Sequence, residues 1–332
     1  MHARTTRRPL KLGTLAFLTA AALLGGSAAL AQAPFPSKPV RLVVPFAAGG
    51  IVDIISRPVV ESISARWGQP VLLEIKPGAN GAIGAEMVAK SPPDGYTWFL
   101  TTLGHVVNPA VNRNVPYHPS NDFTGAAMVA NVPAMAVVHS SVPASSLKEF
   151  IALAKAQPGK LNYLNPGVGT SMHLNAELLK LTAGFDMTSV PYKGLAPGIP
   201  DLASGTLSFS FLSLPLAAPH IKSGRIRALA IASPKRNPQY PEVPTIVEAG
   251  YPDAQVVSWY LISLPARTPR EIVARVNEEV NRALQDPKVI ERLENAGATV
   301  APPSTPAETD ALLRAETLRW AKFVKDAKIE AQ

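Results

Sequence analysis

Short β-branched apolar runs alternate along this chain with longer stretches in which apolar residues recur every three or four positions. Gly, Pro, Asn and Asp punctuate the junctions, a pattern that reads as strand followed by helix. Strands are predicted at Val40–Val44, Val71–Ile75 and Tyr96–Thr101, with helices at Ile51–Trp67 and Asn80–Lys90 between them. Pro58 falls inside the first helix, where a missing N–H favours a kink. The scheme resumes with strands at Leu161–Leu164, Thr188–Val190, Leu207–Leu212 and Ile226–Ala232. Helices are predicted between them at Thr170–Thr182, Ala196–Ser204 and Pro215–Ser223. The last third is helical, at Pro269–Gln285, Pro287–Ala296 and Pro306–Ala327. The fold class is therefore α/β.

Two extended stretches interrupt this alternation. Val129–Val138 has Pro133 in its middle, and Val256–Leu264 carries Ser258 and Ser263. Two such crossings let the chain leave one lobe, build a second and return. The expected lobes are 34–133 with 258–332, and 134–257, and a cleft between them is where a small ligand binds.

The N-terminus changes the picture of where the protein works. Arg4, Arg7, Arg8 and Lys11 precede an apolar run, Leu12–Leu24, and then small residues to Ala33. This is the order of a secretory signal peptide, with Ala29-Leu30-Ala31 as the cleavage pattern and 1–31 removed. Arg7-Arg8 leaves twin-Arg export open beside the general route. The competing reading, a membrane anchor, suffers from a strongly apolar part shorter than the ~20 residues a span needs. The formal charge of +8 includes those four basic residues, so the mature chain carries about +4, scattered rather than striped. Nucleic-acid binding is disfavoured on that ground. There is no Cys, and the six His show no metal-ligand spacing, so neither disulfides, thiol chemistry, a metal nor a cofactor is expected.

Candidate ligand contacts cluster at strand-to-helix turns. Phe46, Ala47, Ala48, Gly49, Gly50 and Ile51 join the first strand to its helix, and Asp53 sits in that helix's first turn. Glycines let backbone N–H groups approach a ligand, and a helix N-terminus favours an anion. The plainer reading makes Gly49-Gly50 a turn and Asp53 a cap. Gly167, Gly169, Thr170, Ser171 and His173 form a second such turn, in which Thr170 or Ser171 caps the helix and His173 bonds locally. Thr101, Thr102, Gly104 and His105 end another strand and are expected to line the same cleft. Lys193 and Gly194 follow a further strand, Lys193 being either a ligand cation or a solvated surface lysine. No G-x-S-x-G elbow is present, which weighs against a hydrolase.

An ordered set of strings then resembles the Bug-type receptors of tripartite tricarboxylate transporters. It runs from Pro36-Ser37-Lys38-Pro39-Val40 through Gly49-Gly50 and Asp53, Pro93-Asp94-Gly95-Tyr96, Pro158-Gly159-Lys160-Leu161 and Val190-Pro191-Tyr192-Lys193-Gly194 to Ser258-Trp259-Tyr260. The resemblance implies a periplasmic, two-lobed, monomeric binding protein that closes on a small organic acid and delivers it to a membrane permease. It also implies that the loops Phe46–Ile51 and Gly167–Ser171 hold a carboxylate through backbone amides and waters. Three departures are noted: Ile51-Val52 stands where small or polar residues are usual, Ile54-Ile55-Ser56-Arg57 replaces a small segment, and Ser213 replaces an Asp or Asn. They suggest a weakly polar wall formed by Ile51, Val52 and Leu212–Leu214, and a ligand less polar than citrate. A sensory protein presenting its ligand to a receptor kinase remains a second reading, since it would use the same closure.

Overall fold

The computed structural model describes residues 2–3, 35–46, 48, 51–192, 194–327 and 329. The predicted signal segment lies outside them except for His2 and Ala3. The chain divides into two compact units, Met1–Ser37 and Lys38–Gln332. In the first, the Phe35-Pro36 peptide is cis. Every element below belongs to the second.

Six strands form one sheet. In chain order they are β1 (Val40–Val44), β2 (Val71–Ile75), β3 (Thr97–Thr102), β4 (Phe123–Val132), β10 (Ser258–Pro265) and β11 (Thr299–Val300), arranged β11-β4-β10-β3-β1-β2. β1 runs parallel to β2 and β3, while β10 is antiparallel to β3 and β4. Five strands form the other: β5 (Ala134–His139), β6 (Asn162–Asn165), β7 (Thr188–Pro191), β8 (Phe209–Ser213) and β9 (Ile226–Ala232), in the order β7-β6-β8-β5-β9. Only Pro133 separates β4 from β5; its missing N–H suits the point where pairing ends in one sheet and begins in the other. The return from β9 to β10 makes the second crossing, where the apolar stretch from Val256 predicted it.

Helices follow the strands: α1 (Ile51–Trp67), α2 (Ala82–Ala89), α3 (Leu103–Val111), α4 (Leu147–Ala156), α5 (Ser171–Ala183), α6 (Ile199–Ser204), α7 (Leu214–Lys222), α8 (Arg270–Ala283), α9 (Pro287–Asn295) and α10 (Pro306–Asp326). α1 buries Val52, Ile55, Val59, Val60 and Ile63, the apolar stripe of a half-buried helix, and it continues through Pro58. Its last turn is tied to α8, because Arg66 Nε donates to Glu279 Oε2 at 2.9 Å and Nη2 to the Glu279 carbonyl at 2.9 Å. α10 opens with a capping box, Thr305 and Glu308, and with Pro306 at its first position, where the lost N–H has no helical partner anyway. α3 and α4 were not anticipated, and the helix expected from Asn80 begins at Ala82 after a short 3-10 turn, Ala79–Gly81.

Both faces of each sheet are covered. On β5, Ala134, Ala136 and Val138 enter one cluster with Phe150, Phe209 and Phe211, while Met135 and Val137 enter the opposite one with Leu202, Leu212 and Leu214. The period of two is that of a strand buried on both sides. α5 belongs to both halves. Leu174 packs with Val107, Leu261 and Trp320 of the first-sheet side, whereas Ala176 and Leu179 pack with Phe150 and Phe209. Asn175, fully buried, accepts from Val256 N at 3.2 Å and donates to Val256 O at 3.0 Å, fixing α5 to the return crossing.

Candidate functional site

The parallel strands β1, β6 and β8, and β3 beside β1, all end toward helix N-termini. Crevices beyond the carboxyl ends of such strands are where α/β proteins hold ligands. Two of these ends approach each other here. A Cβ added at Gly169, in the turn between β6 and α5, would lie 2.9 Å from Val111 Cγ2, 3.3 Å from Val107 Cγ1 and 3.5 Å from Asn80 Nδ2. Gly169 therefore brings the second-sheet turn against α3 and the Ala79–Gly81 turn of the first-sheet side, and at φ 79° it occupies the left-handed region.

The Gly167–His173 turn is tightly organised. Asn165 Oδ1 accepts from Gly167 N at 2.9 Å, and Thr170 Oγ1 donates to Gly167 O at 2.7 Å. Thr170 caps α5 by accepting from His173 N at 3.4 Å. His173 Nδ1 accepts from Gly169 N at 3.3 Å, so the Gly169 amide is committed within the turn. Among the described residues, the N–H groups of Ser171 and Met172 keep no such internal acceptor, as first-turn donors do unless capped. Burial lowers the His173 pKa, keeping the ring a neutral acceptor.

On the first-sheet side, Phe46 is half-buried, with its ring tip 4.0 Å from where a Cβ on Gly81 would be. Ala48 is exposed and Ile51 half-buried. Ala47, Gly49, Gly50 and Lys193 lie outside the described residues. Asp53 is buried in the first turn of α1 and paired with Arg57 at 2.9 Å along its own helix. Thr101 and Thr102 point to opposite faces of β3. Thr101, fully buried, shares a 2.5 Å hydrogen bond with Ser263 and belongs to the sheet. Thr102 is the one left at the crevice, its Oγ1 3.5 Å from a Cβ built on Gly104. Tyr260 is its register partner on β10, and burial alone pushes the phenol pKa up, keeping it a neutral hydroxyl.

Several expectations are corrected. His105 does not face the cleft. It stacks on Tyr117 at 4.6 Å, meets Phe123 edge-on at 4.6 Å, and its Nε2 lies 3.2 Å from the Pro119 carbonyl. That carbonyl only accepts, so Nε2 carries the proton. Gly194 N donates to the Pro166 carbonyl at 3.1 Å and has open space beside it, which leaves room for the ligand contact expected there. Ser213 ends β8 buried, in the N-cap position of α7 but without a capping bond of its own. Val52, Leu212 and Leu214 are core residues of their own halves, so the weakly polar wall shrinks to Ile51.

Burial pulls the His105 pKa down to about 3. The unfolded chain takes up that proton near the ordinary value of 6.5, so the folded state holds the advantage above 6.5 and loses it as pH falls toward 3. The expected slope is on the order of 1 kcal/mol per pH unit in that window. Tm measured against pH should therefore fall faster below pH 6.5 in the parent than in His105→Phe, which keeps the stacking. Parallel curves would remove His105 as the cause.

The residue that the sequence reading passed over is Asn80. Ala79 and Asn80 both adopt left-handed φ, 46° and 51°, without being glycine, a cost of roughly 1–2 kcal/mol at Ala79 and less at Asn80. Asn108, buried on α3, holds this turn by donating from Nδ2 to Ala79 O at 2.9 Å. Asn80 Nδ2 is buried and has no hydrogen-bond acceptor. The available signal was the Gly78-Ala79-Asn80-Gly81 string, in which Asn tolerates the left-handed region.

Among the described residues, no group of His, Asp and Glu could hold a metal ion, and no helix is long and apolar enough to cross a membrane. Residues 55–329 match the family model "Tripartite tricarboxylate transporter family receptor". The protein BugT of Bordetella pertussis is 34% identical over 307 residues, covering 92% of this chain and 94% of its own. The structure of Rpa4515 from R. palustris with adipate shares 36% identity and a TM-score of 0.79, covering 90% of this chain and all of that one. MatC from Rhodopseudomonas palustris, with bound malate, shares 33% identity and a TM-score of 0.75 over 87% of this chain and 100% of its own. The two mixed sheets are thus the two lobes of a periplasmic-binding-protein-like α/β fold, and the chain belongs to the tripartite tricarboxylate transporter receptor family.

Proposed function

We propose that this chain is a periplasmic solute receptor that captures a small organic carboxylate between its lobes, 34–133 with 258–332 and 134–257, and hands it as a monomer to a membrane permease. The observation that carries this reading is the meeting of the Gly169 turn, with the uncommitted Ser171 and Met172 amides behind it, and the polar rim of Asn80, Thr102 and Gly104 on the other lobe. A helix N-terminus supports a carboxylate without an Arg clamp, through N–H donors and the helix dipole. Two relatives hold small organic acids, adipate and malate, which supports an anion site. Contacts from both lobes to one ligand favour the closed state, which is what makes closure ligand-dependent.

A thermal-shift panel of organic acids tests the class. A ligand at about 100 times its Kd stabilises the folded state by ~2.7 kcal/mol, so adipate, malate or a near homologue should raise Tm, and the corresponding amides or methyl esters should not. Equal shifts from acids and neutral amides would overturn the anion site. Small-angle scattering with the most effective acid should then show a smaller radius of gyration than the ligand-free protein.

A further inference from the structure

Resting on that reading, we propose that Asn80 is a ligand-binding residue: its carboxamide nitrogen, with the Thr102 hydroxyl, takes an oxygen of the bound acid where the two lobes meet, beside Gly104 and Gly169.

Four observations converge on this spot. Asn80 Nδ2 is buried without an acceptor, a condition that costs free energy unless some partner supplies one. A Cβ placed on Gly104 would sit 3.4 Å from both amide atoms of Asn80 and 3.5 Å from Thr102 Oγ1. Those are ordinary contact distances, so the Asn80 amide and the Thr102 hydroxyl both border Gly104 and bring two donors to one spot. A Cβ on Gly169, from the opposite lobe, would lie 3.5 Å from the same nitrogen. A side chain there would also meet Val111 at 2.9 Å, so it is the bare Gly169 backbone that brings the opposite lobe up to the Asn80 amide. Finally, the turn that aims the amide is strained and is held from behind by Asn108, and strain of this kind persists where the surroundings over-determine it. Asn80 offers two N–H bonds and no charge. It therefore rewards an oxygen acceptor and contributes nothing to an ammonium at that point.

The test separates ligand binding from turn-making. Asn80→Gly suits the left-handed backbone and removes only the amide; Asn80→Asp keeps the side-chain shape and sets a carboxylate against the ligand's. Calorimetry is run on parent and variants with the straight-chain series acetate to octanoate and oxalate to suberate, plus malate, alongside Tm of the ligand-free proteins. A hydrogen bond to a charged oxygen predicts Asn80→Gly to bind the best of these acids about 10- to 100-fold more weakly, with ligand-free Tm no lower than the parent's. Asn80→Asp should lose more. Affinity within twofold of the parent in Asn80→Gly overturns the assignment and leaves the carboxylate reading standing. If the parent itself binds none of these acids, the carboxylate reading falls and this one with it.

Discussion

Gly169→Val should abolish binding of the acid that stabilises the parent protein. The backbone there sits at φ 79°, which a β-branched residue tolerates poorly. The added Cβ would stand 2.9 Å from Val111 Cγ2, closer than real contacts allow, and a tight 3.3 Å from Val107 Cγ1, and both neighbours are buried. The turn must then retreat from α3, which carries the Ser171 and Met172 amides away from Asn80 and Thr102. A closed state weakened by about 3 kcal/mol lowers affinity roughly 100-fold. Calorimetry reads the loss, and circular dichroism checks that the sheets remain. Gly169→Ala, with less bulk at the same φ, should fall between the two. A folded Gly169→Val protein with parental affinity would take this turn out of the site.

The second large effect concerns stability. Glu316, on α10, accepts through Oε2 from the indole of Trp259 at 3.1 Å and from that of Trp320 at 2.8 Å. Its other oxygen meets Arg319 at 3.3 Å. This one carboxylate fastens the last long helix to β10. Glu316→Leu leaves two buried indole N–H groups without an acceptor, each costing ~1–3 kcal/mol. A total near 3 kcal/mol should lower Tm by roughly 5–10 °C. Glu316→Gln, whose amide oxygen keeps two lone pairs for both indoles and loses only the charge, should lose clearly less. A Tm for Glu316→Leu within a degree or so of the parent would mean that water replaces the carboxylate.

Most of the fold was legible because its elements announce themselves by period. α1 and β9 fall on their predicted bounds, and the Pro133 crossing was visible as an apolar stretch interrupted once. α3 was not legible: Leu103–Val111 is buried along nearly its whole length and contains Gly104 and Pro109, so it shows no polar face. α4 carried a readable signature, Ser146 capping with Glu149 three residues on, and was simply passed over. The site divided along another line. The Thr170 cap and the local bond of His173 depend on neighbours a few residues away, and local sequence specifies them. The opposite facing of Thr101 and Thr102, the retreat of His105 into an aromatic cluster and the aim of Asn80 depend on Ser263, Tyr117, Asn108 and Gly169. Those partners are distant in sequence, and no spacing rule links them.

Because α5 lodges Leu174 in one lobe and Leu179 in the other, it stands to the moving halves as a post stands to a door. Drawing the lobes straight apart would uncover Leu174, at a cost of about 1.5–3 kcal/mol for a buried leucine; swinging them about the helix leaves that contact in place. The resting angle of the door is then set along the post, by Leu174, Leu178 and the Asn175 clasp on Val256. Apparent affinity scales with the fraction of molecules already at a competent angle. Receptors of this build can therefore be tuned for scarce or abundant substrate by substitutions that never touch the substrate.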